Sequence, residues 1–216
     1  MGHTIAILGG TGPEGRGLGA RWARAGHQVL IGSRDEDRAR AAAAELSRLA
    51  GAGVEGALNA AAAEAADIAI VTTPMAGAAD TVAPLAQALA GKLVVSAVNP
   101  VKVVSGQVGV EEVPEGSAAA LIQARLPQSR VGAAFHNVSA VLLIDLDHAL
   151  DEDIPVAADD EADRDTIVGL CADLGAHGVA VGPLSLARYL EGFTAVLLSV
   201  NKLHRSKVGL RFTGLP

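Results

Sequence analysis

Three glycines at a fixed spacing constrain the fold of this chain more than any other feature. Gly10, Gly12 and Gly15 directly follow an apolar run at residues 4–8. The G-x-G-x-x-G spacing lets a strand turn tightly into a helix and lets the backbone approach a pyrophosphate group. An amphipathic stretch and a second apolar run at residues 28–31 complete the order strand, helix, strand. We therefore predict a dinucleotide-binding βαβ unit at the start of the sequence.

The residues at the end of the second predicted strand indicate which dinucleotide is bound. Enzymes that use NAD usually carry Asp or Glu at this place, because a carboxylate accepts hydrogen bonds from the adenosine ribose. This chain has Ser33 and Arg34 instead, with Arg38 one helical turn further on. These side chains can bind a 2′-phosphate, which a carboxylate would repel. The pattern favours NADP over NAD, and the alternative is an exposed arginine on a solvated loop.

Composition favours an α/β protein with a core of small aliphatic side chains. Half of the 216 residues are apolar but only five are aromatic, a pattern that suits buried parallel strands. A net charge of −7 argues against nucleic acid or an anionic membrane as the main partner.

The longest uncharged run, residues 131–144, is too short to span a bilayer, and no signal sequence is recognisable, so we predict a cytoplasmic protein. The single Cys171 is predicted to be buried on a helix.

Alternating strand and helix patterns predict an α/β fold of the Rossmann type, with a doubly wound, mostly parallel sheet and a small C-terminal α/β extension. We predict an NADP-binding domain at residues 1–150. A small C-terminal segment at residues 151–216 would complete the site of a second ligand and provide a dimer contact. Expected strands lie at residues 4–8, 28–31, 54–58, 67–73, 92–98 and 130–135, and expected helices at 16–26, 36–50, 76–89, 117–125 and 184–204.

Short polar motifs follow three of the predicted strands. They are Thr73-Pro74, Asn99-Pro100 and the run from His136 to Ser139. Ligands of open α/β sheets bind outside the carboxyl ends of the strands, so these motifs are candidates for contact with the ligands. The alternative for each motif is an ordinary end of a strand.

Two stretches near the C-terminus have opposite charge. Residues 145–165 carry ten acidic residues and one arginine, which predicts a solvated loop and a helix with its N-cap region at Asp159-Asp160. These carboxylates lack the spacing of a calcium loop and the histidines form no zinc motif, so no metal is expected. The sequence after Glu191 has no acidic residue, and its basic residues include Lys202, Arg205, Lys207 and Arg211. This basic end indicates either an anionic second ligand or charges that complement a helix dipole.

Several short motifs together point to one family. They are Ile7-Leu8-Gly9-Gly10-Thr11-Gly12 with Gly15-Arg16-Gly17-Leu18, Gly32-Ser33-Arg34, Thr73-Pro74, Gly182-Pro183-Leu184 and Gly209-Leu210-Arg211-Phe212. With these motifs, nearly the whole sequence resembles the F420:NADP oxidoreductases, which are NADPH-dependent reductases of the deazaflavin coenzyme F420. Two positions depart from the family pattern. Met75-Ala76 stands where a bulky aromatic or acidic residue is common, and Asn99 stands at an apolar position.

The resemblance implies a set of cofactor-binding residues. Those at the pyrophosphate are the motif glycines Gly10 and Gly15 with Thr11, Gly12, Pro13 and Glu14. Those at the 2′-phosphate are Ser33, Arg34 and Arg38. Those at the nicotinamide end are Thr73, Pro74, Asn99 and Ala140. Those that border the deazaflavin are His136, Asn137, Ser139, Lys207 and Val208.

The reaction implied by the resemblance is a reversible hydride transfer between C4 of the nicotinamide and C5 of the deazaflavin. Such a transfer depends on holding two rings together while the cofactors carry the electronic work, so no catalytic side chain is assigned. Solvent is preferred over His136 as the source of the ring proton. Two other functions stay open: NADPH-dependent reduction of a small imine or carbonyl compound, and a non-catalytic NADP-binding redox sensor. The resemblance and the apolar stretch 184–204 also favour a homodimer.

Overall fold

The computed structural model describes residues 2–215 as alternating strands and helices. The strands are β1 (Thr4–Leu8), β2 (Gln28–Ser33), β3 (Val54–Leu58), β4 (Ile68–Val71), β5 (Leu93–Ser96), β6 (Val101–Val104), β7 (Gln107–Val110), β8 (Arg130–Ala133), β9 (Asp153–Ala158) and β10 (His177–Gly182). The helices are α1 (Pro13–Arg24), α2 (Glu36–Ala50), α3 (Asn59–Ala65), α4 (Met75–Val82), α5 (Ala118–Arg125), α6 (Ala140–Ile144), α7 (Glu161–Asp173) and α8 (Ala187–His204).

Within residues 2–215, eight strands form one sheet in the order β10-β9-β8-β5-β4-β1-β2-β3, and β6 and β7 form a separate hairpin. Neighbouring strands of the sheet are parallel except for β8 and β9. The winding reverses at β1, which has β2 on one side and β4 on the other. A crevice opens at such a reversal, at the carboxyl ends of the strands. The predicted Rossmann-type, mostly parallel sheet is confirmed.

Each face of the sheet carries an apolar layer. Ile7 of β1 packs into the layer that contains Trp22, whereas the next residue, Leu8, packs into the opposite layer. The Trp22 ring meets Phe135 edge to face, with 5.4 Å between the ring centroids. Cys171 is buried in the same layer, as predicted. The two largest buried side chains therefore lie on one face, near the end of β8.

One predicted helix has the observed ends, and another is shorter than predicted because a proline interrupts it. The predicted helix 36–50 coincides with α2. The predicted helix 76–89 is wrong in its second half, since α4 ends at Val82 and a 3-10 turn follows at Ala83–Leu85. Pro84 cannot donate a backbone hydrogen bond, which stops the α-helix there.

The acidic stretch 145–165 contains a strand, so the prediction of a solvated loop there was wrong. All six residues of β9 are buried, and the stretch therefore lacks the alternation of a half-exposed strand. The predicted N-cap region is confirmed, because Asp160 Oδ1 accepts a hydrogen bond from the backbone N–H of Ala162 at 2.8 Å. The domain boundary expected at residue 150 falls before β9, and both β9 and β10 belong to the same sheet as the strands that precede them.

The long helix α8 packs against the β6–β7 hairpin, which the sequence analysis missed. Lys202 near the end of α8 donates a hydrogen bond from Nζ to the carbonyl O of Gly106 in the hairpin turn, at 2.5 Å. Gly106 has a φ of +76°, which glycine adopts without strain. Within residues 2–215, no helix has the length and apolar character to cross a membrane.

Arg21 is buried in α1 and fixes the position of α6. Its guanidinium donates hydrogen bonds to the carbonyl O atoms of Leu142, Leu143 and Asp145, at 3.0, 2.8 and 2.7 Å. The last carbonyl groups of a helix have no partner inside the helix, so the arginine caps α6. A Cβ atom on Gly17 would lie only 2.4 Å from Cβ of Leu143, so the glycine permits this close approach. The end of α6 is thereby held against α1.

Candidate functional site: two adjoining clefts

The first cleft lies at the carboxyl ends of β1, β2 and β4 and has a volume of about 770 Å³. The N-terminus of α1 borders it, and the unpaired N–H groups of a first helical turn attract phosphate. Most residues predicted to bind the dinucleotide line this cleft: Thr11, Gly12, Pro13, Glu14, Ser33, Arg34, Arg38, Thr73, Pro74 and Asn99.

The glycines of the motif have different roles. A Cβ atom on Gly10 would lie 2.7 Å from the carbonyl O of Ile7, and one on Gly15 would lie 2.7 Å from Cα of Gly10. These two glycines let α1 pack against β1, and among the described residues they are not part of the cleft lining. A Cβ atom on Gly12 would meet no described atom within 4 Å. The backbone at Gly12 is therefore open to the close approach of a phosphate group.

Ser33, Arg34 and Arg38 lie together at one end of the first cleft. Ser33 Oγ accepts a hydrogen bond from the backbone N–H of Asp35 at 3.1 Å. The Asp35 carboxylate caps α2 by accepting from the backbone N–H of Arg38 at 3.1 Å, so it is engaged with the helix. Arg34 and Arg38 are exposed, and neither belongs to a salt bridge within residues 2–215. A hydroxyl group and two unengaged guanidinium groups suit a 2′-phosphate.

Asn59 also lines the first cleft, and sequence reasoning missed it. Its Oδ1 accepts a hydrogen bond from the backbone N–H of Gly9 at 3.2 Å. A Cβ atom on Gly32 would lie 2.6 Å from the same oxygen, so the glycine makes room for the amide. Asn59 begins α3 and stands far from the glycine loop in the sequence. No local pattern connects the two, and only the fold brings them together.

A second cleft of about 650 Å³ adjoins the first. The predicted residues that line it are His136, Asn137, Ser139, Ala140 and Val208. Ala140 was expected at the nicotinamide end, and in the structure it lines the second cleft together with Pro74 and Asn99. Lys207 is exposed and belongs to neither cleft lining in the described part of the chain. The remaining wall includes residues of α8 and the hairpin that sequence reasoning missed: Val101, Val103, Glu111, Thr194, Leu197, Leu198 and Asn201.

Glu14, Pro74, Ala76 and Asn99 line both clefts, and we call these four residues the shared wall. The Asn99 amide is oriented by two contacts. Its Nδ2 donates a hydrogen bond to the carbonyl O of His136 at 3.3 Å, and its Oδ1 lies 2.9 Å from Oγ1 of Thr194. Ligands in the two clefts would meet at the shared wall.

Four cleft side chains carry buried polar atoms that have no hydrogen-bond partner within residues 2–215. The atoms are Glu14 Oε1, Thr73 Oγ1, Asn137 Oδ1 and both ring nitrogens of His136. Unpaired buried polar groups are uncommon, because each costs about 1–3 kcal/mol. A ligand with matching donors and acceptors would satisfy these atoms, so the residues present fit a polar, ring-containing ligand pair. Over the same residues, no group of three or more His, Cys, Asp or Glu side chains is arranged to hold a metal ion.

The backbone at Phe135 directs His136 into the second cleft. Phe135 has a φ of +72°, in the left-handed region that costs a non-glycine residue about 1–3 kcal/mol. Packing of its buried ring against Trp22 stabilises this turn at the end of β8. Burial lowers the pKa of His136 to about 3, so the imidazole is neutral near pH 7.

Comparison with known proteins identifies the family. Residues 4–100 match the family model for NADP oxidoreductase, coenzyme F420-dependent. The F420-dependent NADP reductase of Methanothermobacter marburgensis is 37% identical to this chain, over 98% of this chain and 99% of its own length. The F420-dependent NADP reductase of Methanocaldococcus jannaschii is 35% identical, over 98% of both chains. The chain belongs to the F420-dependent NADP oxidoreductase family.

Solved structures agree with this family assignment at the level of the fold. A candidate F420-dependent NADP reductase from Arthrobacter sp. FB24 has 27% identity and a TM-score of 0.84, over 98% of this chain and 100% of that chain. A pyrroline-5-carboxylate reductase from Coxiella burnetii has 15% identity and a TM-score of 0.58, over 96% of this chain and 73% of that chain, and shares the fold alone. The family match at residues 4–100 spans the first cleft, and the full-length relatives extend over the second.

In this member of the F420-dependent NADP oxidoreductase family, the C-terminal segment closes one side of the second cleft. The backbone N–H of Val208 donates to Asn201 Oδ1 at 2.7 Å, and the carbonyl O of Leu210 accepts from the backbone N–H of Asp153 at 2.8 Å. Arg211 pairs with Asp151. Arg211 is thus bound within the protein. The other three basic residues singled out from the sequence, Lys202, Arg205 and Lys207, are exposed and belong to no salt bridge within residues 2–215.

Glu191 fixes α8 in this oxidoreductase, and sequence reasoning missed it. The side chain is completely buried, and its two carboxyl oxygens accept hydrogen bonds from the backbone N–H groups of Ala118 and Ala119, at 2.8 and 3.0 Å. Burial raises the pKa of Glu191 to about 7, and the two hydrogen bonds limit that rise. The contact joins α8 to the start of α5 and so positions Thr194, one turn further along α8, at the second cleft.

Proposed function

We propose that this chain catalyses reversible hydride transfer between NADP(H) and the deazaflavin coenzyme F420. The observation that supports this function best is the shared wall, where a cleft suited to NADP meets a second, largely apolar cleft. Direct hydride transfer requires the reacting carbons to be held roughly 3–3.5 Å apart. Two ligands that meet at one wall satisfy this requirement without a relay through the protein.

In this proposal the first cleft binds and orients NADP(H). The open backbone at Gly12 and the first N–H groups of α1 receive the pyrophosphate, and Ser33, Arg34 and Arg38 receive the 2′-phosphate. Thr73 lies at the other end of the cleft, with its Oγ1 unpaired in the described structure and available to the carboxamide. These contacts turn the nicotinamide towards the shared wall.

The second cleft binds the deazaflavin and excludes water from the meeting point. Leu197, Leu198 and Val208 supply an apolar surface for a flat ring, and Asn137 supplies an unpaired amide oxygen. When bound, the nicotinamide supplies or accepts the hydride at C4 and the deazaflavin does so at C5. His136 cannot donate a proton as an imidazolium near pH 7, because burial lowers its pKa to about 3. The proposed source of the ring proton is solvent at the open side of the second cleft, away from the meeting point of the two rings.

The first experiment follows the absorbance of oxidised F420 mixed with catalytic amounts of protein and NADPH, with NADH as the control. We expect rapid bleaching with NADPH and far slower bleaching with NADH. Binding of NADPH without bleaching would contradict F420 as the substrate. Assays with small imines and carbonyl compounds would then separate the two remaining functions, a small-molecule reductase and a redox sensor.

We further propose that the enzyme is a cytoplasmic homodimer. Several apolar side chains of α8 and the hairpin are exposed, among them Tyr189, Val196, Leu203 and Val103. Burying this surface against a second copy would remove it from water, which is the usual reason for such patches. Light scattering after size-exclusion chromatography should give twice the mass of the chain. Cell fractionation should place the activity with the cytoplasmic contents, where both diffusible cofactors must be present together.

A further inference from the structure

The side chain of Glu14 has a chemically unusual place for an acidic residue. It belongs to the first turn of α1, where the dinucleotide phosphates are expected, and it lines both clefts. Its Oε1 is shielded from solvent and has no hydrogen-bond partner within residues 2–215. Glu14 as a whole is partly exposed, but a carboxylate oxygen that is shielded from solvent and has no partner disfavours the ionised form, whereas a neutral carboxyl group is far less costly there.

We propose that Glu14 is protonated in the NADP-bound enzyme, and that NADP(H) binding takes up a proton at this side chain wherever the solution has ionised it in the free enzyme. This inference rests on the proposed NADP site. An ionised Glu14 would place a negative charge beside the pyrophosphate in a partly dehydrated cleft, where like charges repel. The neutral carboxyl group instead offers one O–H donor to an oxygen of the ligand.

No basic side chain within residues 2–215 forms a salt bridge with Glu14. The charged and titratable groups that line the clefts with it are Arg34, Asp35, Arg38 and Asp80 in the first and Glu111 and His136 in the second. On its own helix, Arg16 is paired with Glu45 of α2. None of these groups hydrogen-bonds to the Glu14 carboxyl group in the described structure, and burial by itself raises the pKa of Glu14 to about 8.

The pH range of the effect follows from these values. Below pH about 8 the free enzyme already carries the proton, so binding changes little with pH. Above that value the proton must be taken up on binding, and the dissociation constant for NADPH should rise towards tenfold per pH unit. Between pH 7.5 and pH 9.5 we expect NADPH binding to weaken by about tenfold or more. The 2′-phosphate is fully ionised across this range and does not contribute to the change.

The test measures NADPH and NADP⁺ binding to the full-length protein from pH 7 to pH 10, by calorimetry in two buffers of different ionisation enthalpy. The variant Glu14→Gln keeps the shape and cannot ionise, and Glu14→Leu provides a second, apolar variant. Glu161→Gln is the matched control, because Glu161 occupies the first turn of α7, is exposed and lies outside both cleft linings. We expect proton uptake and weakening at high pH in the wild type and in the control, and a flat profile in both Glu14 variants.

Three outcomes would overturn the proposal. One is a pH profile shared by the wild type and the folded Glu14 variants. Another is wild-type binding without proton uptake above pH 8. The third is tighter binding of NADP⁺ at high pH in the wild type, which would mean that ionised Glu14 pairs with the positively charged nicotinamide ring. A wild type that binds neither NADPH nor NADP⁺ at any pH would overturn the proposed function itself, and this inference with it.

Discussion

The hydroxyl group of Thr194 lies 2.9 Å from Oδ1 of Asn99, so a residue of α8 orients an amide that faces both clefts. The same hydroxyl oxygen lies 2.9 Å from the carbonyl O of His136. Since Asn99 and His136 follow neighbouring strands of the sheet, Thr194 joins two strand ends and one helix. The geometry of the shared wall therefore depends on a helix that contributes little to the first cleft.

Replacing Thr194 with valine tests this dependence. Thr194→Val keeps the side-chain volume but leaves Asn99 Oδ1 without its donor. We expect kcat for F420 reduction to fall by about tenfold, because small errors in ring placement are costly, while the dissociation constant for NADPH changes little. Thr194→Ser retains the hydroxyl and should keep most of the activity. Retained activity in Thr194→Val together with a loss in Thr194→Ser would show that packing of the methyl group matters, not the hydrogen bond.

Gly12 and Gly15 should respond in opposite ways to alanine. The new methyl group of Gly12→Ala would meet no described atom within 4 Å, so the free energy of unfolding should fall by less than about 1 kcal/mol. NADPH binding should weaken by about tenfold, because the methyl group enters the cleft. Gly15→Ala would press against Cα of Gly10 and should lower the free energy of unfolding by about 1–3 kcal/mol. Urea unfolding and NADPH titration of both variants measure the two effects. Similar behaviour of the two variants would contradict the roles assigned to these glycines.

Arg34 should determine the preference for NADPH over NADH. Arg34→Ala removes an exposed guanidinium from the cleft end beside Ser33, and we expect the Michaelis constant for NADPH to rise by about fivefold or more while that for NADH changes little. Steady-state kinetics with both nucleotides provides the measurement. Arg48→Ala is the control, because Arg48 is exposed at the far end of α2 and is not among the cleft-lining residues. An equal loss for both nucleotides would place Arg34 away from the 2′-phosphate.

The buried Glu191 should make the stability of the fold depend on pH. Its pKa is about 7 in the folded protein, against an ordinary value of 4.5, so folding favours the protonated form. The stabilising contribution is complete below pH about 4.5 and is lost as the pH rises through about 7. Glu191→Gln cannot ionise and should remove about 1–3 kcal/mol of this loss between pH 5 and pH 8.

Urea unfolding of the wild type and Glu191→Gln at both pH values checks this expectation. Glu64→Gln serves as the control, since Glu64 is exposed on α3. The control should keep the slope of the wild type. If Glu191→Gln also keeps that slope, Glu191 is ionised in the folded protein, and its two hydrogen bonds outweigh the cost of burial.

Local patterns in the sequence predicted the parts of the molecule that depend on neighbours in the chain. The helix 36–50 and the strand 54–58 were predicted with their observed ends. An aspartate, Asp35, caps the start of the helix, and a glycine, Gly51, marks its end. The residues that follow the second predicted strand likewise predicted where Ser33, Arg34 and Arg38 would lie together in the first cleft. In these places, the residues that determine the local structure are close together in the sequence.

The missed features depend on contacts between distant residues. Glu191 bonds to Ala118, and Asn59 bonds to Gly9, and neither pair leaves a local pattern in the sequence. Strand β9 was missed because its buried residues lie in a stretch rich in acidic residues, and such a stretch favours the prediction of a solvated loop. Helix α6, whose position is set by Arg21, was also missed, because the contacts of Arg21 with this helix join residues far apart in the sequence.

The shared wall also has a consequence for the order of events in turnover. Each cleft has its own volume, and Pro74 and Ala76 separate the two while facing both. Neither ligand needs to leave before the other arrives, so we expect the enzyme to work through a ternary complex and not by a ping-pong exchange in a single pocket. Initial-rate plots with both substrates varied should give intersecting lines.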